Sequence, residues 1–210
     1  MQRCLKNIEY NCSLIDLEDF RINIKIRFLT SREEMKKHTS YSVAGFTNSV
    51  DKIIYVVASG DTTEVKPHIR HELMHLITMT TWGRPHTSST WMNEGLAAFA
   101  ENNCNGFNVK EIYCYLHEKE MLLPVDSLTK KFYSQPEMIA YHQSAYMVQY
   151  LLEKYGVEKF KQLWKNGYND FKNIYLISPE QCFSELNNEF LNKNFECPNI
   201  NWKTFKNGCK

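Results

Sequence analysis

The chain has 210 residues, with 25 Lys+Arg against 24 Asp+Glu and a formal net charge of +1. Hydrophobic residues make up 43% and charged residues 23%, a composition able to bury a core and outside the range of disordered chains. Near-zero charge removes the electrostatic argument for a nucleic-acid partner. The longest wholly apolar run, Ile53-Ile54-Tyr55-Val56-Val57-Ala58, is far below the ~20 residues needed to span a bilayer, so no membrane partner is expected.

In chain order, Arg21 to Leu29 alternates polar and apolar residues at period two, which predicts a half-buried strand. Thr30 to Lys37 reads as a short helix capped by Thr30 or Ser31. Ser42 to Asn48 is expected to hold a strand and a turn around Gly45, and Asp51 to Ser59 a β-branched, aromatic strand closed by Ser59-Gly60-Asp61. A helix follows from Thr62 or Thr63, with Pro67 in its first turn, and ends before Gly83.

The remainder reads as helical. One helix is capped by Ser88 or Ser89 and ends before Gly106, and Val109 to Lys119 forms another. A long amphipathic helix opens at a capping box, Ser134-Gln135-Pro136-Glu137, and ends at Gly156. Val157 to Asn166 and Ser178 to about Asn194 complete the set, while the aromatic segment Tyr168 to Tyr175 is expected to pack in the core. A few strands followed by many helices imply an α+β fold.

Seven cysteines without a C-x-x-C spacing support neither a zinc ribbon nor a thioredoxin-like motif. Most are expected to be free thiols in a reducing compartment. The segment Met1 to Asn7 shows no apolar leader core, so the expected location is cytoplasmic.

The chemistry concentrates in His71-Glu72-Leu73-Met74-His75, an H-E-x-x-H sequence on a predicted helix. Residues four apart lie about 40° apart around a helix, so both imidazoles project from one face and can grip one metal ion. Glu72 stands beside them, placed to take a proton from an activated water. A catalytic zinc needs a third protein ligand. The metzincin form fails, because Thr78 and Thr81 stand where it needs Gly and His. That leaves His86, across a loop, or Glu94, on the next predicted helix, with Glu94 the better candidate.

His71-Glu72-x-x-His75, eighteen residues, and then Glu94 within Asn93-Glu94-Gly95-Leu96-Ala97 closely resembles the gluzincin metallopeptidases. The chain looks most like zinc aminopeptidases of the aminopeptidase N type and the small peptidase MA-like domains, over roughly residues 21–156. Trp91-Met92-Asn93-Glu94-Gly95 is similar to their W-L-N-E-G segment, including an acid, Glu101, seven residues after the ligand position. The resemblance implies one Zn2+ held by His71, His75 and Glu94, and Glu72 as general base. On a helix Glu101 returns to nearly the face of Glu94, where it can accept a hydrogen bond from a ligand imidazole.

Ala140-Tyr141-His142-Gln143-Ser144 stands where the aminopeptidases have Y-x-K-G, so the resemblance gives Tyr141 the oxyanion-binding role, with Tyr146 or His142 as alternatives. It further implies a zincin-like, two-lobed domain over 1–210. A small sheet with the metal helix would form the N-terminal lobe (about 20–83) and helices the C-terminal lobe (about 84–195). The strand Lys52 to Ser59 is a candidate groove wall, pairing with extended substrate by β-augmentation, or else an internal core strand.

The expected function is zinc-dependent hydrolysis of peptides or proteins. The alternatives are an inactive binding protein of the same fold, and a zinc hydrolase of esters or non-peptide amides. The acidic G-x-M-E-N strand that holds a free amine in aminopeptidases has no counterpart in Ser42 to Asn48, so aminopeptidase activity is not carried over. Oligomeric state is not legible.

Overall fold

The computed structural model describes residues 2–58, 68–191 and 195–209. Its described part is mostly helical with one small sheet, the expected α+β layout. Contacts divide the chain into two compact units, 1–83 with 209–210, and 84–208.

In the first unit, helix α1 (Gln2–Leu14) precedes strand β1 (Lys25–Leu29), helix α2 (Arg32–Thr39), strands β2 (Gly45–Asn48) and β3 (Ile53–Val57), and helix α3 (Ile69–Thr81). The start of the metal helix expected at Thr62 or Thr63, and the Ser59-Gly60-Asp61 closure, lie outside the described residues. Ser31 caps α2 by accepting from the Glu34 N–H at 3.1 Å. The β2–β3 turn is held by the Asn48 side chain, which accepts from Val50 N and Asp51 N.

The strand order is β1-β3-β2, with β1 parallel and β2 antiparallel to β3. β3 is therefore central and both its edges are occupied. The groove-wall role considered for residues 52–59 is excluded, and β2 presents the open edge on that side among the described residues. Both faces of β3 are apolar because both are covered. Ile54 and Val56 pack with Leu73 and Leu76 of α3 and with Ile8 of α1, whereas Tyr55 packs on the opposite side with Met35 of α2. Strand alternation then settles β2: Phe46 joins the Tyr55 side, and Gly45 and Thr47 turn toward α3.

α1 had no counterpart in the sequence reading. It clamps α3 through polar contacts, with Asn11 Nδ2 donating to the Arg70 carbonyl at 2.9 Å and the Arg70 guanidinium lying 4.7 Å from the Tyr10 ring centre.

In the second unit a short 3-10 turn (Thr87–Ser89) leads into α4 (Thr90–Glu101), followed by α5 (Val109–Glu118), α6 (Val125–Lys130), the 3-10 turn Phe132–Ser134 and the long α7 (Glu137–Tyr155). Then come α8 (Val157–Asn166), α9 (Phe171–Tyr175), α10 (Pro179–Leu191) and α11 (Trp202–Phe205). The capping box expected at residues 134–137 is not formed, because Pro136 is the N-cap and no side chain closes that end. The box forms instead on α5, between Asn108 and Glu111. Tyr168, Phe171 and Tyr175 are buried, as expected of that segment.

α4 and α7 form the tightest crossing of this unit. A Cβ on Gly95 would lie 2.7 Å from the Ser144 carbonyl oxygen and 2.8 Å from its carbon, so only glycine lets the two backbones meet there. Gln143, beside Ser144, is a structural residue. Its amide accepts from Leu123 N at 2.8 Å and donates to Leu123 O at 2.9 Å, closing both backbone groups of the segment before α6.

The free-thiol expectation is corrected. Cys104, Cys114, Cys197 and Cys209 are disulfide-bonded, while Cys4, Cys12 and Cys182 are free. Cys114, on the buried face of α5, bonds Cys197 across 83 residues of chain, a pairing that spacing alone cannot reveal. The same C-terminal segment lays Phe195 under the Lys110 ammonium (4.1 Å) and stacks Trp202 on Tyr115 (6.0 Å). Burial pushes the Cys182 thiol up to about 11, which keeps it protonated and poorly nucleophilic. Closing so long a loop is worth about 2–5 kcal/mol. Cys197→Ser is accordingly expected to lower the melting temperature by at least about 5 °C in thermal melting, and reductant, which also opens the bonds of Cys104 and Cys209, to lower the parent's by more than the variant's.

Candidate active site

α3 presents His71, Glu72 and His75 on consecutive turns, with Glu72 and His75 nearly buried (6% and 7% exposed). The His71 and His75 Nε2 atoms converge to 3.0 Å, their rings edge to face at 83°. Two nitrogens each ~2.0–2.1 Å from a tetrahedral zinc would stand about 3.3 Å apart, so a few tenths of an ångström of adjustment would seat the ion. The pair therefore fits a metal. The apolar flank of the same helix, Leu73 and Leu76 against β3, fixes which way the imidazoles turn.

The Glu72 carboxylate reaches β2. The Thr47 hydroxyl lies 2.7 Å from Glu72 Oε2 and 2.9 Å from the Glu72 carbonyl oxygen. Oε1 lies against Gly45, where even a Cβ would collide with it. From sequence Gly45 marked only an expected turn, where it opens β2 instead, and Thr47 carried no signal, because nothing in a four-residue strand says which helix side chain it will meet.

In the second unit, Glu94 is 8% exposed on α4 and accepts a hydrogen bond from the Tyr133 hydroxyl at Oε1, 2.9 Å. Glu101, two turns on, shares its helix face and is partly buried. Tyr133 lies 39 residues from Glu94 in a short 3-10 turn, and the sequence carries no signal for the contact. Phe132 packs against the rings of both Tyr133 (5.4 Å) and Tyr141 (5.0 Å), so the two phenols share one aromatic neighbour.

Helical geometry separates the tyrosines of α7. Ser144, which meets α4 at Gly95, lies about 60° around the helix from Tyr141 but about 160° from Tyr146 and from His142. Tyr146 instead packs on Tyr113 (4.4 Å) and Phe190 (5.6 Å), and burial with Glu153 and Glu189 nearby pushes its hydroxyl up to about 12. His142 is buried beside Phe205. Among the three, Tyr141 is the one on the α4 side. His86 uses Nδ1 within its own turn, 2.9 Å from Ser88 Oγ and accepting from Ser88 N, so it serves as a cap.

Residues 37–173 match the family model of the peptidase MA superfamily. The match covers nearly two thirds of the chain and includes α3, α4 and α7. It defines a gluzincin-like, metallopeptidase-like domain. The chain belongs to the peptidase MA superfamily. No curated protein matches it. No helix among the described residues is long and apolar enough to cross a membrane.

Proposed function

We propose that the protein is a zinc-dependent peptidase in which His71, His75 and Glu94 hold one Zn2+. The observation that carries this reading is the convergence of the two α3 imidazoles beside a nearly buried, oriented glutamate, in a chain of the peptidase MA superfamily. Glu94 is supported by its buried carboxylate and by the Tyr133 bond, which orients it. Zinc, when bound, would acidify a water and polarise the scissile carbonyl.

Glu72 takes the proton of the attacking water and passes it to the departing amine. The Tyr141 hydroxyl donates to the oxyanion that develops on the peptide carbonyl. Glu101 accepts a hydrogen bond from a ligand imidazole and so holds its tautomer. An extended peptide lies along the open edge of β2, using backbone groups for affinity. Four disulfide-bonded cysteines support an oxidising compartment, in place of the cytoplasmic location expected from the N-terminal residues.

A peptide-library digest read by mass spectrometry, with and without a zinc chelator, tests the reading. Cleavage is expected with metal and should fall to background with chelator, returning on addition of zinc. A zinc-loaded protein that cleaves no peptide would overturn it in favour of a binding protein.

A further inference from the structure

We propose that Thr47 is the positioning residue for the Glu72 carboxylate, tethering Oε2 so that Oε1 is the oxygen that receives the proton. The proposal rests on the reading of Glu72 as general base. It starts from two independent features of one strand face. Thr47 and Gly45 alternate on the side of β2 that meets α3, and both act on the same side chain.

A glutamate has three rotatable bonds, and in a nearly buried site its carboxylate needs partners. The hydroxyl of Thr47 provides one. It has a single proton, shared between Glu72 Oε2 at 2.7 Å and the Glu72 carbonyl at 2.9 Å. That arrangement ties the tip of the side chain to its own backbone through a residue of the neighbouring strand, so rotation of the carboxylate would break the Oε2 contact. Gly45 completes the seat. Its missing side chain admits Oε1 against the strand, where alanine would place Cβ inside contact distance.

The tether also suits the chemistry. While Glu72 is a carboxylate, Thr47 donates to Oε2 and leaves the lone pairs of Oε1 for the incoming proton. The proton goes from water to Oε1 and then to the amine, and Thr47 neither gains nor loses one. Thr47 thus acts on the reaction only through the direction in which Glu72 faces, and misplacing a reacting group by about 1 Å can cost ~100-fold in rate.

Thr47→Val keeps the shape and removes the donor, while Thr47→Ser keeps the donor. In the zinc-loaded protein, Thr47→Val is expected to lower kcat about 10- to 100-fold with KM and zinc stoichiometry unchanged, and Thr47→Ser to return kcat to within about threefold of the parent. Unchanged kcat in Thr47→Val, or a Ser variant as slow as the Val variant, would overturn the proposal.

A second measurement needs no turnover. In the metal-free protein, Thr47→Val is expected to lower the melting temperature by roughly 2–4 °C, and by clearly less in a Glu72→Ala background, where only the bond to the residue 72 carbonyl is left to lose. Full additivity of the two substitutions would show that the hydroxyl and the carboxylate do not act on each other, and would also overturn it. If the parent protein cleaves no peptide yet the two substitutions are non-additive, the tether stands and the peptidase reading fails.

Discussion

Glu72→Gln is expected to abolish nearly all turnover while leaving the metal in place. General-base catalysis is worth about 10²–10⁴ in rate, and an amide cannot take the proton of the attacking water. The substitution is nearly isosteric, and the site tolerates it, since the Thr47 hydroxyl can donate to the oxygen of the new side-chain amide as it does to Oε2 of Glu72. The imidazole pair of His71 and His75 is not altered. Zinc content by atomic absorption should therefore match the parent, with kcat down at least about 10²-fold. Retained hydrolysis would remove Glu72 from the mechanism, whereas loss of zinc would mean that the carboxylate supports the site structurally.

The second large effect is at the helix crossing. Gly95→Ala replaces a mid-helix glycine, which by propensity alone would favour the helix by about 1 kcal/mol. The contact outweighs that gain, because the new Cβ meets backbone atoms of Ser144 at 2.7–2.8 Å, and a backbone cannot rotate away as a side chain can. Overpacking of this kind costs about 1–3 kcal/mol per site and more where backbone must move. Gly95→Val should then cost at least about 3 kcal/mol and lower the melting temperature by roughly 6–12 °C. A Gly95→Val protein that melts with the parent would show that α4 and α7 do not meet as closely as this. Because Glu94 precedes Gly95, the same shift would displace the carboxylate that Tyr133 holds, so thermal melting and zinc affinity are expected to fall together.

Much of this architecture was legible because the relevant signals are local. The i, i+4 spacing of His71 and His75 puts both rings on one face whatever surrounds them, and Ser31 before two glutamates marks a helix start by its own chemistry. Gly156 and Gly167 end helices where the periodicity stops. What escaped was long-range. α1 has no acid in its first turn and no base in its last, and its attachment through Asn11 to Arg70 spans 59 residues. The Cys114–Cys197 bond and the Tyr133–Glu94 contact likewise join segments whose proximity is a product of packing.

One local reading was left open and another failed, each for a nameable reason. The strand over residues 52–59 looked like a groove wall or a core strand alike, since an apolar pattern on both faces reports coverage of the faces and says nothing about the edges. Ser134-x-x-Glu137 has the residues of a capping box, but Pro136 takes the N-cap position instead. Among the candidate residues, the α3 triplet could be named from its spacing and Glu94 from the sequence around it, while the side chains and backbone they meet, Thr47, Gly45 and Tyr133, could not.

The short length of β2 carries a last consequence. Its four residues give one face to α3 and one edge that no other strand among the described residues pairs, so the strand that would grip a peptide is also the strand that aims Glu72. Substrate side chains laid along such an edge point alternately toward and away from the sheet's α3 side, and a slip by one residue exchanges the two sets. On a substrate whose side chains alternate in character, cleavage would then be phased, with neighbouring sites used in steps of two residues.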